Sequence, residues 1–455
     1  MGHSCCPKEW VCPDELAEWA DWLSTGLHGR NRWRLVIVLS GMLFATGRRT
    51  VTAWLRAAGV SADYKAYYYF LGSLGRNSQR VAEWLLRQLL RQFQTLQPGA
   101  GRVLLAIDDS PTKRYGPLVE GAGLHHNPTP GPSEQKFVYG HVWVTLAAVV
   151  RHPRWGAIGL PILSKLYVRR KDMQGLPKSF SFQTKLQQAA ELVEWAAPWV
   201  RFYDKSLWLV ADGAYAKRPF LRRATAAGAV VVSRLRKDAA LFDLPPGRQA
   251  GQRGRPRKYG PNRISLAKRA GQRRGWDKIT CHIYGREETV EYKTFLATWR
   301  PAGGAIRVVL VRWKHETGQL TTTAYFATDP HAAVIDIVEA VADRSAIEQV
   351  FHDVKEVWGA GRQQVRNVFA NIACWNINLW LHTLVELWAW NKSEQELVDR
   401  GASPWDKTWR RPSHADKKRA WSGQTLAAEF RTLTTACPLP EKIQHWLHHL
   451  TQMAL

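Results

Sequence analysis

Asp108 closes the apolar run Val103 to Ile107, and Asp212 closes Trp208 to Ala211 in the same manner. Two carboxylates therefore stand where two buried strands should reach the rim of a sheet. A third acid belongs to a helical segment from Arg344 to Gly359, in which Arg344, Glu348 and Lys355 are four and seven residues apart. At roughly 100° per residue these three fall within about 40° of one another on the helix surface. Ile347, Val350, Phe351, Val354 and Trp358 form a separate apolar stripe that would dock the helix on a sheet and present Glu348 between two cations. Two Asp and one Glu offer hard oxygen ligands, which suit Mg²⁺ with Mn²⁺ able to substitute, whereas a His/Cys set would suit zinc. Each feature alone has a plainer reading. An Asp after a strand can start a turn, and charges at these helical spacings can form a salt-bridge ladder on a solvated face.

The elements that must position these acids follow from changes of texture along the chain. From Pro13 to about Gln97 apolar residues recur every three or four positions, interrupted by Gly26, Gly29 and Gly59, which predicts an all-helical region. Apolar runs at 102–109, 137–150, 159–168, 208–212 and 230–235 predict strands, with a helix over 184–200 between the third and fourth. Strands, then a helix, then a strand ending in an acid predict a mixed α/β sheet. A Gly, Pro and Arg-rich stretch at 247–263 opens a different pattern, with strands at 278–285, 288–299, 305–313 and 322–328 that read as an inserted antiparallel β unit. Helices are expected again from Ala332 to Trp358 and from Asn371 to Trp390. The expected division is an N-terminal helical DNA-binding domain over 1–100, a catalytic core over 101–236 and 331–391, a β-rich insertion over 237–330, and a basic helical region over 392–455.

Lys and Arg number 64 against 38 Asp and Glu, a formal charge of +26 over 455 residues. The basic residues recur from Arg30 to Arg411, so a polyanion running across several domains is the expected partner, as a DNA duplex would. The six Cys are scattered, no signal peptide or bilayer-length apolar run is present, and the chain reads as reduced and cytoplasmic. His3, Cys5, Cys6 and Cys12 lack a zinc-type spacing, and a metal-free N-terminus is the favoured reading. Most of the 23 Trp stand at helical spacing among Leu and Ala and are expected in the core.

Together these residues resemble the insertion-sequence DDE transposases of bacteria, whose RNase H-like core carries a β insertion before its last catalytic helix. That helix in the family bears Tyr, two residues, Arg, three residues, Glu, six residues, Lys. Arg344, Glu348 and Lys355 match, while Val341 stands at the Tyr position. The family's first acid is commonly followed two places on by Thr or Ser. Asp108 with Ser110 fits this, while Asp109, followed there by Pro111, remains the rival. Asp212, followed by Gly213 and Tyr215, fits the second acid, and Glu348 lies 136 positions after it, as a core interrupted by an insertion requires. The resemblance covers about 101–391. It implies a fold with an RNase H-like mixed sheet and an activity in which Asp108, Asp212 and Glu348 hold two Mg²⁺ ions. These ions activate water and stabilise the leaving 3′ oxygen, and the freed 3′ hydroxyl then attacks a second phosphodiester. Arg344 and Lys355 would grip the flanking phosphates. A homodimer on double-stranded DNA, acting at the bacterial nucleoid, is implied as well.

Three further features bear on DNA. Arg253-Gly254-Arg255-Pro256 has the form of a minor-groove hook, with a solvated basic linker as the equal alternative. Of Trp276, Trp299 and Trp313 in the insertion, Trp299 is the preferred candidate to stack on a flipped base, against the commoner role of a Trp in sheet packing. His125, His126 and His141 are expected to make loop contacts and not to bind metal.

Overall fold

The computed structural model describes residues 11–127, 135–247, 253–314, 320–401, 405, 410–436, 440 and 443. The chain begins with helices α1 (Asp14–Ser24), α2 (Gly29–Phe44), α3 (Val51–Ala57), α4 (Tyr64–Arg76), α5 (Ser78–Arg91) and α6 (Phe93–Leu96). Next come β1 (Arg102–Lys113), β2 (Gly123–His126), β3 (Phe137–His152), β4 (Gly156–Tyr167), α7 (Lys185–Phe202), β5 (Ser206–Ala211), α8 (Arg218–Ala226) and β6 (Ala229–Arg234). The third stretch holds β7 (Leu241–Phe242), β8 (Arg263–Ile264), α9 (Leu266–Gly271), β9 (Asp277–Ile283), β10 (Arg286–Trp299), β11 (Gly304–Lys314) and β12 (Leu320–Ala327). Helices α10 (Val334–Asp343), α11 (Ser345–Glu356), α12 (Val368–Ala389), α13 (Glu394–Leu397) and α14 (His414–Ala436) follow.

Strands β4, β3, β1, β5 and β6 lie side by side in that order. Strand β3 is antiparallel to both β1 and β4, whereas β5 runs parallel to β1 and β6 parallel to β5. This is the mixed α/β sheet expected from the alternation of runs, in the RNase H-like arrangement that the resemblance implies. The parallel strands are apolar on both faces because helices cover them: α7 packs on β3, β4 and β5, and α11 on β4, β1 and β3. Helix α7 is started by a capping box, in which Thr184 and Gln187 satisfy each other's backbone N–H groups.

The β insertion does not stand apart. Strand β12 pairs antiparallel with β6, and β11, β10, β9, β7 and β8 continue from it, so insertion and core share one twelve-stranded sheet among the described residues. The helix expected over 332–358 is two helices that meet at Arg344. Strand β1 runs to Lys113, four residues past Asp109, so Asp108 lies within a strand and not at its end.

Helix α12 is the central post of the molecule. It lies between α4 and β4, and Gly75 lets α4 approach the Phe369 carbonyl so closely that not even a methyl group would fit. Asn367 caps α12 through the N–H groups of Phe369 and Ala370. Its buried polar side chains serve the edge of β4. Asn376 accepts from the Ser164 N–H at 2.9 Å and donates to the Ser164 carbonyl at 3.2 Å. Trp380 donates to the Ile162 carbonyl and Thr383 to that of Pro161. A sheet edge that would otherwise be open is thereby closed by side chains. One continuous apolar core runs from Leu16 through the sheet and α12 to Trp421.

Candidate active site

Side chains alternate along β1, and this separates the two neighbouring acids. Asp108 and Ser110 face α11: Arg344 Nη1 donates to Asp108 Oδ2 at 2.9 Å, and Lys355 Nζ to Ser110 Oγ at 2.6 Å. Asp109 faces the other way, where Tyr215 Oη donates to it at 2.8 Å and Lys185 Nζ at 2.6 Å. The strand therefore brings Asp108, and not Asp109, to the helix that carries Glu348.

The second guanidinium nitrogen of Arg344 donates to Glu348 Oε1 at 2.5 Å, so one cation bridges a strand acid and a helix acid. The break between α10 and α11 places Arg344 at this position. Glu348 is the more open of the pair, with its side chain 56 % exposed against 18 % for Asp108. Asp212 follows β5 directly, and its carboxylate accepts the Ala214 N–H at 3.0 Å, capping a short 3₁₀ turn. Its charge reaches both Asp108 and Arg344.

Burial pushes the Asp108 carboxyl up to about 7; Arg344 and the Asp109 N–H oppose this, while Asp109 and Asp212 add to it. Arg344 is held above its ordinary value: burial works against the charge, but Asp108, Glu348 and Asp212 outweigh it. Tyr215 is held well above the usual phenol range by burial and by Asp109, so it remains a donor. Such a crowd of carboxylates around one guanidinium is a site built for positive charge.

The apolar stripe of α11 docks as its spacing implied, with Ile347, Val350, Phe351 and Val354 buried, and Trp358, two residues past the helix end, is buried too. Gly159 of β4 leaves the room for it. A Cβ there would meet Val350 Cγ2 at 2.7 Å and the Ala346 carbonyl oxygen at 2.8 Å.

Other singled-out residues lie elsewhere. Arg253 and Arg255 are exposed, on a stretch without regular structure. Trp299 is only 7 % exposed and packs edge-on against Phe326 at 5.1 Å, the sheet-packing role, which leaves no ring face open to a base. Trp276 is half-buried, with Arg312 over its ring at 3.8 Å, and Trp313 is half-buried too. His125 and His141 are buried strand residues, pushed down by burial to about 4 and about 3, and His126 is exposed. His141 sits between Arg114 Nε at 3.1 Å and the Glu120 carbonyl at 3.0 Å. Cys12 bonds weakly to the Pro13 carbonyl, while His3, Cys5 and Cys6 lie outside the described residues. Cys281 and Cys374 are free and buried. Among the described residues no helix is long and apolar enough to cross a membrane.

The Asp109, Tyr215 and Lys185 network was not anticipated from the sequence. Its signal was present in the strand period, which must send one of two adjacent acids away from the helix.

The family model described as DDE superfamily endonuclease matches residues 23–300, more than half of the chain. No curated protein matches.

Proposed function

The chain belongs to the DDE superfamily endonucleases, and from that premise we propose that it is a DNA transposase of an insertion sequence. It would cut DNA at the element's ends and join the 3′ hydroxyl ends to target DNA. The observation that carries the reading is the guanidinium of Arg344 shared by Asp108 and Glu348, with Asp212 close enough to act on Asp108 and on Arg344.

The donor set would suit divalent magnesium: three carboxylates, from β1, the end of β5 and α11, would supply hard oxygen ligands. Asp108, Asp212 and Glu348 would hold two Mg²⁺ ions, with Mn²⁺ able to replace them. Bound there, the ions would lower the pKa of water and stabilise charge on the departing 3′ oxygen. Asp108 would present its carboxylate from β1 and Asp212 from the turn just past β5, and Glu348 would complete the set from the helix. Arg344 and Lys355 are positioning residues for the phosphates on either side of the scissile bond. In the free protein Arg344 neutralises the acids, and binding of cations would release it toward the DNA strand.

The formal charge of +26 supports a duplex partner, and Arg253 and Arg255 are exposed for phosphate or minor-groove contact. Bringing two element ends together calls for a homodimer on DNA, working at the nucleoid in the bacterial cytoplasm. The test is incubation of the protein and Mg²⁺ with labelled element ends. Joined products support a transposase. Cuts without joining indicate a nuclease of the same superfamily, and a mobility shift alone a DNA-binding protein without catalysis. Glu348→Gln should bind the ends and fail to cut, and near-normal cutting by that variant would overturn the assignment.

A further inference from the structure

The flank of α11 turned away from Glu348 carries Asp353, which is 8 % exposed. Its carboxylate meets Gln349 Nε2 at 2.8 Å and His352 Nδ1 at 3.3 Å, and it has no Lys or Arg partner among the described residues. Two imidazoles converge on it, His382 from α12 and His414 from the first turn of α14, with rings stacked 4.0 Å apart. One ligand atom from each of the three lies within 4.8 Å of the others, and all three residues are buried. We propose that Asp353, His382 and His414 form a binding site for a transition-metal ion of the zinc class, separate from the carboxylate site on the opposite flank.

Three observations support an ion over a finished hydrogen-bond network. First, His382 is 2 % exposed, yet its Nδ1 has no partner and its Nε2 stands 3.6 Å from Asp353 Oδ2. That is too long for a hydrogen bond. It is close to the roughly 3.3 Å that separates two ligand atoms each 2.0–2.1 Å from one tetrahedral ion. Second, His414 is oriented as a metal-binding imidazole is: Nδ1 faces Glu386 Oε1 at 2.6 Å, and Lys417 donates to the other Glu386 oxygen. A carboxylate behind the ring fixes its tautomer and leaves Nε2 as the acceptor that would meet an ion. Third, a cavity of about 190 Å³ opens beside the cluster, lined by Trp155, Gly159, Gln349, Pro412 and the three residues themselves. It offers an entry path and room for water as a fourth ligand.

One contact opposes the ion. Trp358 Nε1 donates to His414 Nε2 at 2.8 Å and occupies the lone pair a metal would take. Loading therefore requires the indole to let go and one imidazole to turn out of the stack, since the in-plane lone pairs of two nearly parallel rings do not meet at one ion; Trp358 is a competitor that can be removed. An ion here would tie α11, the helix that bears Glu348, to α12 and α14.

The test uses the full chain, stripped with a chelator and kept in excess Mg²⁺ so that the carboxylate site is served. Zn²⁺ titration calorimetry should then find one ion per chain. Co²⁺ should give the visible bands of a tetrahedral nitrogen and oxygen site without a thiolate charge-transfer band. His382→Gln should lose binding at least 100-fold and lose the Zn²⁺-dependent rise in Tm. Asp353→Asn should weaken binding at least 10-fold, and Trp358→Phe should match or exceed the parent protein. A variant with Cys5 and Cys6 changed to Ser should bind unchanged, which excludes the N-terminal thiols as the source. Absence of stoichiometric binding, or binding that survives His382→Gln, would overturn the proposal. Because the readout is metal content and Tm, the result stands apart from whether the chain joins DNA ends.

Discussion

Replacing Arg344 by Gln removes the only cation seen between Asp108 and Glu348 among the described residues, and the consequence can be sized from the two contacts. The Asp108 contact joins side chains 22 % and 18 % exposed, so a charge-assisted bond there contributes about 1.5–3 kcal/mol. Glu348 is 56 % exposed and its share is screened to about 0.5 kcal/mol. The variant should therefore lose about 2–3.5 kcal/mol of unfolding free energy when divalent ions are absent. Magnesium at ~10 mM, bound with an affinity of ~0.1–1 mM, would return about 1.4–2.7 kcal/mol by linkage. The parent protein gains less, because there the ion must displace a guanidinium. Urea unfolding of both proteins, in chelator and in Mg²⁺, reads the difference directly. The gap between them should narrow by at least about 1 kcal/mol on adding Mg²⁺. An equal gap in both conditions would show that the acids do not share a cation site with Arg344.

Asp109→Asn should weaken the bonds to Lys185 and Tyr215 and cost about 1–3 kcal/mol, while cleavage of labelled ends stays within about tenfold of the parent. Asp108→Asn should abolish cleavage, and a reversal of the two results would reassign the first acid. Gly159→Ala must push α11 away from β4, costing about 1–3 kcal/mol in urea unfolding and lowering cleavage by moving Glu348; an unchanged, fully active variant would contradict the packing. Lys418 is 8 % exposed, and burial, with Arg49 and Arg419 nearby, lowers its amine to about 7. Between pH ~7 and ~10 the unfolded chain takes up this proton and the folded chain does not, so stability rises with pH across that window. The contribution reaches up to about 4 kcal/mol, and unfolding of Lys418→Met at pH 7 and 9.5 should lack it; an identical pH slope in both proteins would dismiss the effect.

The strand and helix runs around the acids were legible because each follows one pattern: an unbroken apolar run for β1, β5 and β6, and a 3.6-residue period for α11. The apolar stripe of α11 and the place of Asp212 just past β5 followed from those patterns alone. What the patterns could not show was how far a strand continues once its apolar run ends. Strand β1 carries on through Ser110, Pro111 and Thr112 because β3 supplies partners along that length, and no local feature encodes a partner thirty residues away. The break at Arg344 was invisible for the same reason, since the helical pattern is unbroken there and the ion pair to Asp108 is tertiary. Trp299 is neutral in sequence, an aromatic beside Arg300; only the approach of Phe326 from β12 makes it core. The polar residues of α12 were readable as an anomaly in an apolar helix, but their meaning depends on β4, two hundred residues earlier.

Helix α12 also imposes an order in time. The apolar face of α4, complete by residue 76, is covered by a helix that ends at Ala389. At translation rates of ~5–20 residues per second, the intervening chain takes roughly 15–60 s to appear. For that interval the first helices of the nascent protein carry an unsealed apolar surface. Fragments that stop short of Val368 should therefore gather into aggregates, and the full chain should depend on holding factors during synthesis more than its final packing would suggest.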